Sequence, residues 1–244
     1  MRWPVALVLL AGCRAIFGLD PPTHQAIDAS GTDSADGRSI DAAPIATCAD
    51  ANLVACFDFE NSITDAAPSP NAVTASNFAF DMGKNGQAIV LNDTSRMIVQ
   101  DSILLDVPAV TIEAWIFMAM PPAAGGREGV FDVEGQYAMF VKDGGALQCT
   151  AGSQIEIGSI PLDQWTHVAC TAGGNAQSVY VNGVIVAAVP FNGSLATAST
   201  AGGEIGGNSP DGTSRFVGKI DQLRVYRTAR TGVEICMDAG RTGC

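Results

Sequence analysis

From Leu53 to Arg227 the chain is a succession of short runs rich in β-branched and aromatic residues, each closed by Gly, Asn, Asp or Pro. The runs are Leu53 to Phe59, Gln87 to Leu91, Met97 to Gln100, Val110 to Ala119, Gly129 to Val133 and Tyr137 to Lys142. They continue with Ala146 to Thr150, Gln154 to Ile157, Trp165 to Thr171, Ser178 to Val181, Val184 to Val189 and Phe216 to Arg227. Segments this short, with turn residues between them and no long 3.6-residue periodicity, have one economical way to bury their apolar faces. They pair as antiparallel strands in an all-β sandwich of two sheets. The sharpest local signal is Val-Tyr-Val-Asn-Gly-Val-Ile-Val at 179–186, where Asn182-Gly183 tolerates the positive φ of a type I′ hairpin turn. Only Thr231 to Ala239 carries the pattern of a helical turn. The 27 glycines and a charged fraction of 16% fit many turns and few surface helices.

The N-terminus follows a different logic. Arg2 is followed by an apolar run from Trp3 to Ala11 that ends in Leu9-Leu-Ala-Gly-Cys13. The run is far shorter than the roughly 20 residues needed to cross a bilayer, and no later segment approaches that length. Its position, and the small residues Ala11 and Gly12 before Cys13, resemble a bacterial lipobox. That resemblance implies that residues 1–12 are a signal peptide cut before Cys13 and that the Cys13 thiol and the new amino group carry acyl chains. The partner of this end would be a lipid membrane, with each buried methylene contributing about 0.8 kcal/mol. Arg14, rather than an acidic residue, follows the cysteine and favours the outer membrane or cell surface. From Arg14 to Thr47 the chain is rich in Asp, Ala, Ser, Gly and Pro and lacks the apolar content to order itself. With Cys13 it forms a disordered linker over 13–47, reaching about 30 to 35 Å as a flexible coil. The folded domain is expected over 48–244.

Charge and cysteine content narrow the function classes. There are 13 Lys and Arg against 25 Asp and Glu, a formal charge of −12, which repels phosphates and excludes nucleic acid as a partner. Apart from Cys13, six cysteines remain: Cys48, Cys56, Cys149, Cys170, Cys236 and Cys244. An even set in an exported chain reads as three disulfides, of which sequence alone allows 15 pairings. Cys149 with Cys170 is favoured because both lie on consecutive strand-like runs. The other four sit at the two ends of the domain, as local bridges or an end-to-end staple. No Cys-x-x-Cys pair supports a metal site.

Several segments together resemble a known family. They are Leu53-Val-Ala-Cys-Phe-Asp-Phe-Glu, Gly83-Lys-Asn-Gly-Gln-Ala-Ile-Val-Leu-Asn-Asp, Val110-Thr-Ile-Glu-Ala-Trp-Ile and Trp165-Thr-His-Val-Ala. After them come Val179-Tyr-Val-Asn-Gly-Val, Gly206-Gly207 and Gly218-Lys-Ile-Asp-Gln-Leu-Arg-Val-Tyr-Arg. Their order over Leu53 to Arg230 is similar to the laminin-G-like, or concanavalin A-like, jelly-roll domain. The resemblance implies two antiparallel sheets of six or seven strands, packed face to face, with first and last strands adjacent. It also implies a module that binds glycans or proteins, in some members with a calcium ion at a loop rim. Fold alone does not fix function.

His167 shares a strand face with Trp165 and Ala169, reads as a structural histidine beside Trp165, and has no nucleophile-elbow motif to serve. His24 lies in the linker. A glycosidase needs two carboxylates about 5 to 9.5 Å apart. The strand signature Glu-x-Asp-x-x-Glu does not occur here, while Asp58 with Glu60 and Asp132 with Glu134 are same-face pairs by strand alternation. Asp221 shares alternation parity with Leu223 and Val225, so it is expected to face the core and to need hydrogen-bond partners. It serves as a structural acceptor or, with Asp93, Asp81 and Asp211, as a calcium ligand; calcium at Asp221 and Asp93 is the only cofactor in view. No aromatic platform stands out: Tyr137, Phe191 and Phe216 are the aromatics nearest to loop edges, and each reads as core. The resulting expectation is a membrane-anchored, extracytoplasmic module of the cell envelope. It binds a glycan or a cell-surface protein without catalysis. The competing readings are a purely structural envelope component and a glycoside hydrolase-like enzyme.

Overall fold

Asn182 and Gly183 take φ of 49° and 71° and fold Ala176–Val181 back onto Val184–Pro190 as an antiparallel hairpin. The same logic recurs through the computed structural model, which describes residues 47–191, 193–195 and 200–244. Cys13 and the linker up to residue 46 lie outside the described residues. In chain order the strands are Leu53–Phe57 (β1), Val73–Ser76 (β2), Ala79–Met82 (β3), Gln87–Leu91 (β4), Arg96–Val99 (β5), Val110–Met118 (β6), Arg127–Val133 (β7) and Tyr137–Lys142 (β8). Then come Leu147–Ala151 (β9), Ser153–Ile157 (β10), Trp165–Gly173 (β11), Ala176–Val181 (β12), Val184–Pro190 (β13), Gly203–Ile205 (β14) and Gly218–Tyr226 (β15), before a helix at Gly232–Asp238 (α1).

The strands form two antiparallel sheets. One has eight strands in the order β13-β12-β11-β6-β15-β4-β3, with β1 also on β15; the other has seven, β10-β9-β8-β7-β14-β5-β2. The second matches the six or seven strands expected per sheet and the first exceeds it by one; β2, β3 and β14 are strands of three or four residues that leave almost no alternation to read. First and last strands do meet, Leu53 opposite Tyr226 and Phe57 opposite Leu223. The core lies between the layers: Ile112, Ala114, Ile116, Val168 and Val225 from one sheet face Phe131, Met139, Val141, Leu147 and Ile205 from the other. Alternation is what creates it, since every second side chain of each strand turns inward.

Cys149 on β9 and Cys170 on β11 are bonded across this core, their Cα atoms 5.9 Å apart. The runs are not consecutive, as β10 intervenes, and the bridge joins the two sheets rather than two neighbours in one. Gln177, fully buried, adds a polar tie beside it by donating to the Cys149 and Ser153 carbonyls. Cys48–Cys56 and Cys236–Cys244 are local bridges with Cα separations of 5.7 and 5.8 Å. At the C-terminus, Thr231 and Glu234 form a reciprocal capping box that starts α1. Ile235 then seats the helix on Ala169 and Tyr180, on the outer side of the eight-stranded sheet.

Candidate functional site

The outer face of the seven-stranded sheet carries a polar cleft. Outward positions on its strands are Glu128 and Asp132 (β7), Ala138 and Phe140 (β8), Gln148 and Thr150 (β9), Glu204 (β14) and Arg96 (β5), the intervening residues being core. Most of them would be exposed on a bare sheet, yet Glu128, Asp132, Phe140, Gln148 and Glu204 are buried. The reason is the segment 206–217, which leaves β14 and crosses back over the sheet as a strap. Gly206 and Gly207 permit the crossing: Gly206 has φ of 73°, and a Cβ on facing Gly129 would stand 2.2 Å from the Gly207 carbonyl oxygen.

The strap is pinned by charge-assisted hydrogen bonds. The Ser209 amide donates to Asp132 at 2.7 Å and the Val217 amide to Glu128 at 3.1 Å. Arg215 donates to Glu204 at 2.9 Å and to the Ser95 carbonyl at 2.6 Å. Arg127 donates to Asn208 at 2.7 Å while its guanidinium stacks 3.9 Å above the Phe140 ring. Asp211 accepts from Thr213 and Asn208 within the strap and does not approach Asp132 or Glu204 as a ligand set. Burial pushes the Asp132 and Glu128 carboxyls up to about 7, against the lowering effect of the amides each accepts. Glu204 is also raised by burial, with Arg96 and Arg215 opposing.

Beside the strap opens a cleft of about 550 Å³, within the range of small-ligand sites. Asp132, Gln136, Thr150, Ser153, Gln154 and Ser194 give it its polar lining. Hydroxyls and amides both donate and accept, so this lining matches a ligand whose own groups do both. Gln136 Oε1 is a buried acceptor with no hydrogen-bond partner among the described residues. Asp132 is the one carboxylate in the lining; Glu134 is exposed in the β7–β8 turn. Two facing carboxylates, the requirement for glycoside hydrolysis, are therefore not presented to this cleft.

Other residues singled out in the sequence fall elsewhere. Asp58 is not paired with Glu60: Phe59 and Asn61 have φ of 56° and 54°, which ends the strand at Phe57 and sends the two carboxylates apart. Asp58 accepts from Arg224 at 2.9 Å and Glu60 from the Gln87 amide at 3.1 Å. Asp221 does not face the core with Leu223 and Val225. A bulge between Asp221 and Arg224, with Gln222 at φ 49°, inverts the alternation and turns Asp221 outward under the Lys84–Asn85 turn, whose amides it accepts. Burial raises its carboxyl to about 6. Asp93 is exposed in the turn after β4 and Asp81 pairs with Lys219, so Asp221, Asp93 and Asp81 do not converge. The one grouping of ligand atoms among the described residues is Cys48, Cys56 and Asp58, whose two sulfurs are already bonded to each other.

Tyr137, Phe191 and Phe216 are all buried, Tyr137 donating to the Leu105 carbonyl at 2.9 Å. His167 packs not on Trp165 but edge-on to Trp115, which is directly opposite it on β6, with ring centroids 5.3 Å apart. Burial and the nearby Arg224 and Arg230 drive its imidazole down to about 3. Its 3.8 Å approach to Glu113 is thus a neutral contact, and burial holds Glu113 up to about 8. Among the described residues Phe78, Phe80, Phe117 and Trp165 are part-exposed, and the last two lie on the outer face of the eight-stranded sheet. Their signal was in the sequence: Thr111 and Glu113 share alternation parity with Trp115 and Phe117, which marks that face as the outer one.

A model of the Laminin_G_3 family, described as the concanavalin A-like lectin/glucanases superfamily, matches residues 84–236. No curated protein matches significantly. Among solved structures, domain 4 of AbnA, a GH43 extracellular arabinanase from Geobacillus stearothermophilus in complex with arabinotriose, is 25% identical. The match covers 77% of this chain and 98% of that one, with a TM-score of 0.63. The binding domain of Paraclostridial Mosquitocidal Protein 1 is 19% identical over 77% of this chain and 52% of that one, TM-score 0.63. A structure of botulinum neurotoxin type C, whose cell entry is dependent upon interaction with two ganglioside molecules, is 13% identical over 78% of this chain and 51% of that one, TM-score 0.62.

Proposed function

Because the chain belongs to the Laminin_G_3 family of the concanavalin A-like lectin/glucanases superfamily, we propose that it is a non-catalytic binding module whose polar cleft holds a neutral oligosaccharide. The observation that carries this reading is the cleft itself: a lining that includes the Thr150, Gln136 and Gln154 side chains, each able to donate and accept. A sugar hydroxyl does both as well, and a site built from matching groups rejects ligands that leave them unpaired. The arabinotriose complex of the 25% identical arabinanase domain supports an oligosaccharide as the ligand class. The acidic surface works against anionic polymers as a general partner. Titration with arabinotriose and a panel of neutral oligosaccharides, on the wild type and on Gln154→Ala and Thr150→Ala, tests it. Binding weakened by both substitutions supports the cleft. Failure to bind any glycan returns the structural envelope reading, and sugar release on incubation returns the enzyme.

The module is placed, in this reading, outside the cytoplasm on a lipid anchor. Residues 1–12 are the signal peptide, Cys13 the acylated residue, 13–47 the linker and 48–244 the binding domain. Three disulfides in one domain fit an oxidising compartment. Cys13→Ala is expected to move the protein from the membrane to the soluble fraction, with loss of acyl mass from its first peptide. Retention in membranes after that change excludes the anchor.

A further inference from the structure

The other sheet carries a second candidate surface, opposite the cleft and independent of it. Trp165 on β11 and Phe117 on β6 are directly paired across the strands. Their neighbours Ile116, Met118 and Val168 take the core side, so both rings lie on the outer face of the eight-stranded sheet. Both are part-exposed, with centroids 5.7 Å apart and planes inclined by 59°, a shallow V of two apolar ring faces. Two large aromatics left part-exposed side by side on a sheet face offer a ready surface for a stacked ring.

Two ammonium groups flank the V. Lys84 Nζ stands 4.3 Å above the ring of Trp115, two residues before Phe117 on the same strand and so about 7 Å along it. Lys219 Nζ stands 5.9 Å from the Phe117 ring, held from behind by Asp81 at 2.6 Å. Asp81 neutralises Lys219, whereas Lys84 makes no ion pair among the described residues. Its three donors remain available to an anion.

We infer that this face binds a short acidic saccharide, with a sugar ring stacked on Trp165 and Phe117 and a carboxylate on the next ring meeting Lys84. Charge complementarity selects that occupant. An apolar ligand alone would leave the Lys84 ammonium unused. An extended polyanion or an anionic bilayer would meet the repulsion of a chain with formal charge −12 beyond these two lysines.

Calorimetric titration of the full chain with trigalacturonate, and with the same trisaccharide after carboxyl reduction, tests the inference. Trp165→Ala and Lys84→Gln are each expected to weaken trigalacturonate by about tenfold or more, as for a buried anchor and its charge partner. Trp165→Phe should restore most of the affinity, carboxyl reduction should weaken binding by a similar factor, and Gln154→Ala in the cleft should leave it unchanged. Circular dichroism matching the wild type keeps the variants interpretable. The inference is overturned by no trigalacturonate binding to the wild type, by equal affinity for the reduced sugar, or by indifference to Trp165→Ala. Trp165-dependent binding to phosphatidylglycerol vesicles without saccharide binding also overturns it, in favour of a membrane-facing surface. None of these outcomes bears on neutral oligosaccharides in the cleft, so the two readings fail separately.

Discussion

Removing the inter-sheet disulfide should be the most damaging single loss of covalent structure in this domain. The bridge closes a loop of sequence separation 21, while each terminal bridge closes one of 8. By the chain-entropy relation the first contributes about 3.3 kcal/mol and the others about 2.5 kcal/mol each. Cys149 and Cys170 are both at most 1% exposed, so Cys149→Ala/Cys170→Ala also removes two buried sulfurs from a packed core and adds to that figure. At about 2 to 4 °C per kcal/mol for a domain of this size, the double variant should melt about 7 to 13 °C lower. Differential scanning calorimetry of the purified protein, beside Cys48→Ala/Cys56→Ala and Cys236→Ala/Cys244→Ala, gives the comparison. Thr150, in the cleft lining, follows Cys149 directly, so oligosaccharide affinity should fall in the first variant below its melting range. A loss under about 3 °C, or one smaller than that of either terminal bridge, would show that the sheets are held together without it.

Three further outcomes follow from particular contacts. Asp132 and Glu128 have carboxyls raised to about 7, so the stability they allow is fully present below about pH 4 and is lost as pH rises through 7. Asp132→Asn should therefore match the wild type at pH 4 and melt higher than it at pH 8; a pH-independent gap in Tm contradicts the burial argument. Asp221→Ala strips the acceptor from the part-buried turn amide of Asn85 and should cost about 1 kcal/mol in urea unfolding. Asp221→Asn, which keeps an acceptor, should cost clearly less, and equal losses would deny that role. Thr231→Ala removes the cap of α1 and should cost about 1 kcal/mol, with hydrogen exchange rising first at Ile235; unchanged exchange there would mean that packing alone holds the helix.

Much of the fold was legible in the sequence because period-two alternation survives in strands of five residues or more. Strands β4 and β8 carry the bounds expected, and the Asn182-Gly183 hairpin formed where its turn chemistry places it. The misreadings share one cause: alternation is local, and pairing is not. Nothing near Asp221 announces that Gln222 adopts φ of 49°, yet that single bulge reverses which face Asp221 occupies. His167 lies in sequence beside Trp165 but in space against Trp115, because the cross-strand neighbour is closer than the residue two along. The cleft is harder still. Its walls come from the β7–β8 turn, the β9–β10 turn and Ser194, and its one carboxylate, Asp132, is buried together with nearby Glu128 by a Gly- and Ser-rich strap that reads as an ordinary loop. Glu128 and Glu204 gave no warning of burial, since a glutamate on an outward strand position is normally solvated.

The claim on which the functional reading rests is that the outer face of the seven-stranded sheet receives a neutral oligosaccharide and leaves it intact. Calorimetric titration of arabinotriose into the wild type and Gln154→Ala, followed by chromatography of the recovered sugar, addresses it directly. Saturable binding to the wild type, weakened at least about tenfold by the substitution, with the trisaccharide recovered whole, is the expected result. Equal affinity in both proteins, or recovery of shorter sugars, would contradict it.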